Sequence, residues 1–240
     1  MKNKYSIDIV VPCGRPDSII TRKCINQLIR IKMVFNKINI YIAGPIKKNY
    51  FGNEVHYLTT KKIIFPSSAR NIGGFKGNGE YILFIDDDCF ITNREFKKLL
   101  VILNTVDYEM VAAKITSVDN TIKNMIHDFT GFTYQQLPIR LDSSNLKNIL
   151  FVTAFLLVKR KIFENQNGFD ENLRYFEDCD FVLRCNQTQI KKLYAGDINI
   201  LHYHSRKTLL SIIKVQFLSG LEYFKFSKRE KFNFLYFIKI

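Results

Sequence analysis

Hydrophobic positions in the first hundred residues come as short unbroken runs, separated by stretches in which they recur every three or four places. Ile7 to Val11 is a nearly apolar run that stops at Pro12-Cys13-Gly14-Arg15-Pro16, the pattern of a buried strand entering a loop. Asp17 or Ser18 can cap the following helix, where Ile19, Ile20, Cys24, Leu28 and Ile31 fall at helical spacing. Ile38 to Ala43 predicts a second strand, closed by Gly44-Pro45. Pro66 to Gly73 predicts loop then helix, and Gly77-Asn78-Gly79 marks a turn. Tyr81 to Ile85 is a run of β-formers that ends abruptly in Asp86-Asp87-Asp88. Asn93 is placed to cap a helix reaching about Leu103. Strands without polar alternation, separated by helices, predict an α/β domain with a largely parallel sheet covered on both faces.

Further along, the pattern weakens before it returns. Thr116 to Lys147 is polar and irregular and reads as long loops around a site. A second ordered block runs from Ile149 to Tyr203. Its longest nearly apolar run, Ile149 to Val158, is too short to span a bilayer and predicts a buried strand. From about Lys207 to Phe224 a helix places Leu209, Ile213, Phe217 and Leu221 on one stripe. These readings divide the chain into a domain over 1–206 and a basic amphipathic helix and tail over 207–240.

Composition adds few constraints. Of the 240 residues, 47% are hydrophobic and 24% charged, as in ordinary globular domains, so a real core can form without staples. The five cysteines are odd in number and contain no C-x-x-C pair, which argues against a disulfide framework or a zinc site and for reduced thiols in a cytoplasmic protein. Asp8 interrupts any signal-peptide core. The net charge of +14 fits a nucleic acid, an anionic membrane or phosphorylated substrates; it also fits a coding sequence biased toward A and T, given the abundance of Ile, Lys and Asn.

Two acidic clusters carry the chemistry. The first, Asp86-Asp87-Asp88, sits where a strand leaves the sheet, the place where ligands bind in open α/β folds. On extended backbone Asp86 and Asp88 point the same way, and two carboxylates on one face call for a cation between them; hard oxygen ligands favour Mg²⁺ or Mn²⁺. The second is Glu177-Asp178-Cys179-Asp180, preceded by Gly168-Phe169-Asp170-Glu171. A strand followed by D-x-D also opens aspartate-nucleophile phosphatases. That family wants the motif early and a later acidic pair, whereas here Gly196-Asp197 is followed by Ile-Asn-Ile.

In order, Pro12, Ala69-Arg70-Asn71-x-Gly73, Gly79 to Asp88, Asn167 to Glu171, Glu177-Asp178-x-Asp180 and His202-x-His204 resemble the inverting GT-A glycosyltransferases of family 2. The resemblance runs from Ile7 to about Gly220. It implies a GT-A fold, Rossmann-like with a mostly parallel central sheet, and transfer of a sugar from a nucleotide-diphosphate donor to an acceptor hydroxyl. It implies Asp178 as catalytic base, and Asp86 and Asp88 as metal ligands against the donor diphosphate, joined by His202 or His204. Pro12, Arg15, Arg70, Asp87 and Glu177 fall with Asp86 at the nucleotide-sugar. Where many relatives have an aspartate reading the base, this chain has Ala43-Gly44-Pro45, so UDP stands as the default nucleotide. The implied acceptor is a glycan or lipid-linked glycan, as in assembly of bacterial surface polysaccharide or glycolipid.

The tail mixes Lys225, Lys228, Arg229 and Lys231 with Phe232, Phe234, Leu235, Phe237 and Ile238. Such a segment suits peripheral attachment to the inner face of a membrane, a partner subunit, or packing on the domain. No recognised nucleic-acid motif accompanies the charge, so nucleic acid is not an expected partner.

Overall fold

In β1 (Ile7–Pro12), Ile7, Ile9 and Val11 face one side of the sheet and Val10 the other, all fully buried. The same two-sided burial holds in β4 (Tyr81–Ile85), where Tyr81, Leu83 and Ile85 oppose Ile82 and Phe84. This is why the strands read as unbroken apolar runs. The computed structural model describes residues 4–119, 121, 124–125, 133–142, 146, 151–203, 208, 210, 213–215 and 217–222.

Around these two strands lie β2 (Ile38–Gly44), β3 (His56–Thr59), β5 (Cys89–Phe90), β6 (Met110–Ser117), β7 (Arg140–Asp142), β8 (Phe155–Lys159) and β9 (Lys192–His202). The order across the sheet is β3-β2-β1-β4-β8-β6-β9-β5, with β7 also paired to β9. The β3-β2-β1-β4 half is parallel, as the sequence predicts. The other half is mixed: β8 runs antiparallel to both β4 and β6, whereas β6 and β9 are parallel. An apolar run such as Phe155-Leu156-Leu157-Val158 carries no mark of its direction, so the sequence does not announce this reversal.

Among the described residues, five helices pack on the two faces of the sheet. Helices α1 (Ile19–Val34) and α3 (Asn93–Thr105) lie on the side of Ile7 and Leu83, where Ile25, Leu28, Phe96 and Leu99 are buried. On the other side are α2 (Pro66–Lys76), α4 (Arg160–Asn165) and α5 (Glu177–Asn186), with Phe163 and Phe169 packed on Phe84 and Phe181 packed on both of them. Gly73 and Gly74 let α2 settle close: a Cβ on Gly73 would overlap the Val10 side chain, and one on Gly74 would meet Phe163 at 2.7 Å.

Three local expectations shift. Thr92, not Asn93, caps α3, its hydroxyl accepting from Glu95 N at 3.2 Å. Helix α2 starts at Pro66 itself, whose missing N–H costs nothing at the first helical position. Strand β8 starts at Phe155, later than the apolar run beginning at Ile149. At the bottom of the sheet Asp8 is fully buried yet satisfied, accepting from Gly79 N at 2.6 Å, Asn39 at 2.8 Å and Arg160 at 2.7 Å.

Described residues near the C-terminus, among them Ile213–Val215 and Phe217–Glu222, are helical, and Leu210, Ile213, Phe217 and Leu221 are exposed. Leu209 and the tail from 223 onward lie outside the described residues. No described helix is long and apolar enough to cross a membrane.

Candidate active site

Strand β4 ends at Ile85, and the chain turns at once: Cys89 N donates to Asp86 O at 3.0 Å. The three aspartates therefore lie on a turn rather than on extended backbone. The premise that Asp86 and Asp88 share a face because they are two apart is corrected accordingly. Instead the carboxylates fan out. Asp86 accepts from Arg70 Nη2 at 2.8 Å, Asp87 from Thr21 Oγ1 at 3.3 Å, and Asp88 Oδ1 sits 3.1 Å from His202 Nε2.

Arg70 ties the two acidic clusters together. It is buried on α2, donating through Nη1 to Glu177 Oε1 at 2.7 Å while Nη2 holds Asp86. Burial works against its charge, but Asp86 and Glu177 keep it protonated. The third donor, Nε, is buried without a hydrogen-bond partner among the described residues. Both terminal nitrogens are thus spent on carboxylates.

The neighbouring Asn71 does the same for the Gly-Phe-Asp-Glu segment. Its amide donates to Phe169 O and Glu171 Oε1, each at 2.9 Å, and its oxygen accepts from Phe169 N at 2.9 Å. Ser68 adds a 2.7 Å bond to Glu171 Oε2. One turn of α2 therefore pins the separate pieces of the family-like pattern.

Asp178 is the second residue of α5. Its Oδ1 accepts from Cys179 N at 2.8 Å and its Oδ2 from Thr153 N at 3.3 Å. The adjacent Ala154 accepts from Asp86 N at 3.5 Å, which brings the two acidic groups within one another's field. Burial raises the Asp178 carboxyl above the usual range, with Arg70 and the two N–H donors opposing. Glu177 is pushed up to about 7, by burial first and then by Asp178, against the pull of Arg70. Phe176, just before the pair, holds a left-handed φ of 66°, a conformation that costs a non-glycine residue on the order of 1 kcal/mol or more and sets the entry of α5.

Asp87 is pushed up to about 7 as well, by burial first and then by Asp88 and Asp86, with Arg15 opposing. Arg15 thus acts on the first cluster from the loop after Pro12, the last residue of β1. His202 arrives from the far strand: β9 pairs antiparallel with β5, setting Cys89 opposite His202, and Tyr203 N donates to Asp88 O at 2.8 Å. Oxygen, sulfur and nitrogen donors of Asp88, Cys89 and His202 lie within 4.8 Å of one another. The Cys89 thiol is held well above its usual range by burial, then by Asp88, and stays protonated. The carboxylate and the imidazole of this group are donors that could hold a divalent cation. Asp86 is not in this group, and His204 lies outside the described residues.

Sequence reading missed Thr153, Asn71 and Thr21 as partners of the acids. Thr153 contributes only a backbone N–H, which no residue type signals; Asn71 stood inside the Ala-Arg-Asn pattern but reads there as part of a motif, not as a clamp.

A family model described as glycosyltransferase-like family 2 matches residues 46–237. An uncharacterized glycosyltransferase of Haemophilus influenzae is 29% identical over 129 residues, covering 50% of this chain and 40% of that protein. Among solved structures, S. aureus TarS 1–349 superposes with a TM-score of 0.65 at 15% identity, over 82% of this chain and 60% of that one. The same protein in complex with UDP-GlcNAc gives 0.64 at 15% identity, over 86% and 60%. The chain therefore spans less than two thirds of the length of these relatives, and at this identity the TarS likeness shows the fold.

Proposed function

The chain belongs to the glycosyltransferase-like family 2, and on that premise we propose that it moves a sugar from a nucleoside-diphosphate donor to an acceptor hydroxyl with inversion, Asp178 serving as the base. The observation that carries this reading is the pair of hydrogen bonds that Arg70 donates to Asp86 and Glu177, which joins a donor-side acid to the acid next to the base. The acceptor oxygen attacks the anomeric carbon on the face opposite the diphosphate, its proton passes to the Asp178 carboxylate, and the bond to the diphosphate breaks with its electron pair leaving on the phosphate. Burial makes Asp178 a stronger base than an ordinary carboxylate. Its two backbone donors hold the carboxylate in place for the oxocarbenium-like transition state.

On the donor side, Asp88 and His202 would hold a divalent cation, Mn²⁺ or Mg²⁺, and such an ion supplies charge that offsets the departing diphosphate. Pro12, Arg15 and Asp87 line the approach of the nucleotide, with UDP the default nucleotide. Glu177 serves by orientation, fixed against Arg70.

The acceptor in this reading is a glycan or lipid-linked glycan of surface polysaccharide or glycolipid assembly. The exposed stripe of Leu210, Ile213, Phe217 and Leu221, with Lys214 alongside, supports peripheral attachment to an anionic membrane on its cytoplasmic side. The test of the core reading is Asp178→Asn. Transfer should fall by at least a hundredfold while Mn²⁺-dependent thermal stabilisation by UDP or a UDP-sugar persists. A variant that keeps full turnover would remove Asp178 from the mechanism.

A further inference from the structure

Resting on the transferase reading, we propose that Phe65, Arg174 and Tyr175 form an acceptor subsite for a sugar that carries an oxyanion, either phosphate or carboxylate. The Arg174 guanidinium carbon lies 5.9 Å from the Phe65 ring centroid and 5.7 Å from that of Tyr175. Stacking of this kind uses the flat face of the guanidinium and leaves its in-plane N–H donors pointing outward. Arg174 is exposed and makes no hydrogen bond or ion pair among the described residues. The acids nearest in sequence are engaged elsewhere: Glu171 by Ser68 and Asn71, Asp170 by Asn172. A guanidinium held by rings, with its donors uncommitted, is built for bidentate binding of an anion.

Its place in the fold ties it to the acceptor. Phe65 caps α2, five residues and about 7.5 Å of helix rise before Arg70. Arg174 stands four residues before Asp178, in the segment that Ser68 pins to the first turn of α2. The base must touch the acceptor hydroxyl, so the segment leading into it borders the acceptor. The Phe65 ring, exposed, and the Tyr175 ring, partly exposed, offer the apolar face on which a sugar ring stacks. Donor-side groups lie instead at the end of β4 and at His202.

The experiment measures binding of glucose 6-phosphate, glucuronate, methyl glucoside and inorganic phosphate by saturation-transfer NMR to the full chain, for wild type, Arg174→Gln and Phe65→Ala. Wild type should prefer the two anionic sugars over methyl glucoside at least tenfold. Arg174→Gln should erase that preference, Phe65→Ala should weaken all three sugars but not phosphate, and both should keep Mn²⁺-dependent stabilisation by a UDP-sugar. Equal binding of neutral and anionic sugars, or no binding of any, overturns the subsite; so does loss of UDP-sugar binding in Arg174→Gln, which assigns the arginine to the donor. Sedimentation with phosphatidylglycerol vesicles that depends on Arg174, without a sugar preference, overturns it in favour of a lipid headgroup. Wild type that binds no nucleotide or UDP-sugar with Mn²⁺ refutes the transferase reading instead.

Discussion

Asp87 is the acid whose removal should stabilise the protein. Burial, Asp88 and Asp86 push its carboxyl from 3.8 to about 7, so at neutral pH and above its charge is held at a cost. The interval corresponds to about 4 kcal/mol at 1.36 kcal/mol per pH unit, and about 2–4 kcal/mol once residual solvent exposure is allowed for. The sign follows from proton uptake. Between about pH 4 and 7 the folded state keeps a proton that the unfolded chain has released, so this group lowers stability as pH rises through that window. Asp87→Asn cannot ionise and keeps an oxygen for Thr21. Urea unfolding without divalent metal should show the variant about 2–4 kcal/mol more stable at pH 8 and only about 1 kcal/mol more stable at pH 4.5. For a chain of this length that is several degrees in Tm at pH 8, at about 2–4 °C per kcal/mol. A variant no more stable than wild type at pH 8 refutes the reasoning, as does a gain of the same size at both pH values, which would point to packing.

Two further outcomes follow from the geometry around α2. Arg70→Gln leaves Asp86 and Glu177 without their shared cation, so unfolding free energy should drop by about 3–5 kcal/mol at pH 8, measured by urea denaturation, with a smaller loss at pH 5 as Glu177 takes up a proton. Gly73→Ala drives a methyl into Val10 and should cost about 1–3 kcal/mol, while Gly73→Ala combined with Val10→Ala should lose less than the sum of the two single changes in a double-mutant cycle.

Much of this protein is legible in its sequence. The runs Ile7–Val11, Ile38–Ala43 and Tyr81–Ile85 became β1, β2 and β4 because continuous burial of both faces forces continuous hydrophobicity. Helix α1 followed from its 3.6-residue spacing, and Glu177 and Asp178 stood at a helix start, where the macrodipole welcomes acids. Family membership was legible from the order of short motifs.

Tertiary structure alone decided how those motifs face one another. That Arg70 would grip Asp86 and Glu177, 16 and 107 positions away, depends on α2 resting against β1 at Gly73, a distance that no local pattern encodes. The reversal of β8 and the pairing of β9 with β5 that carries His202 to Asp88 are likewise choices of sheet order. Hydrophobic period reports which side of an element is buried, because burial acts residue by residue; it is silent on which element does the burying, since that depends on the packing of the whole chain.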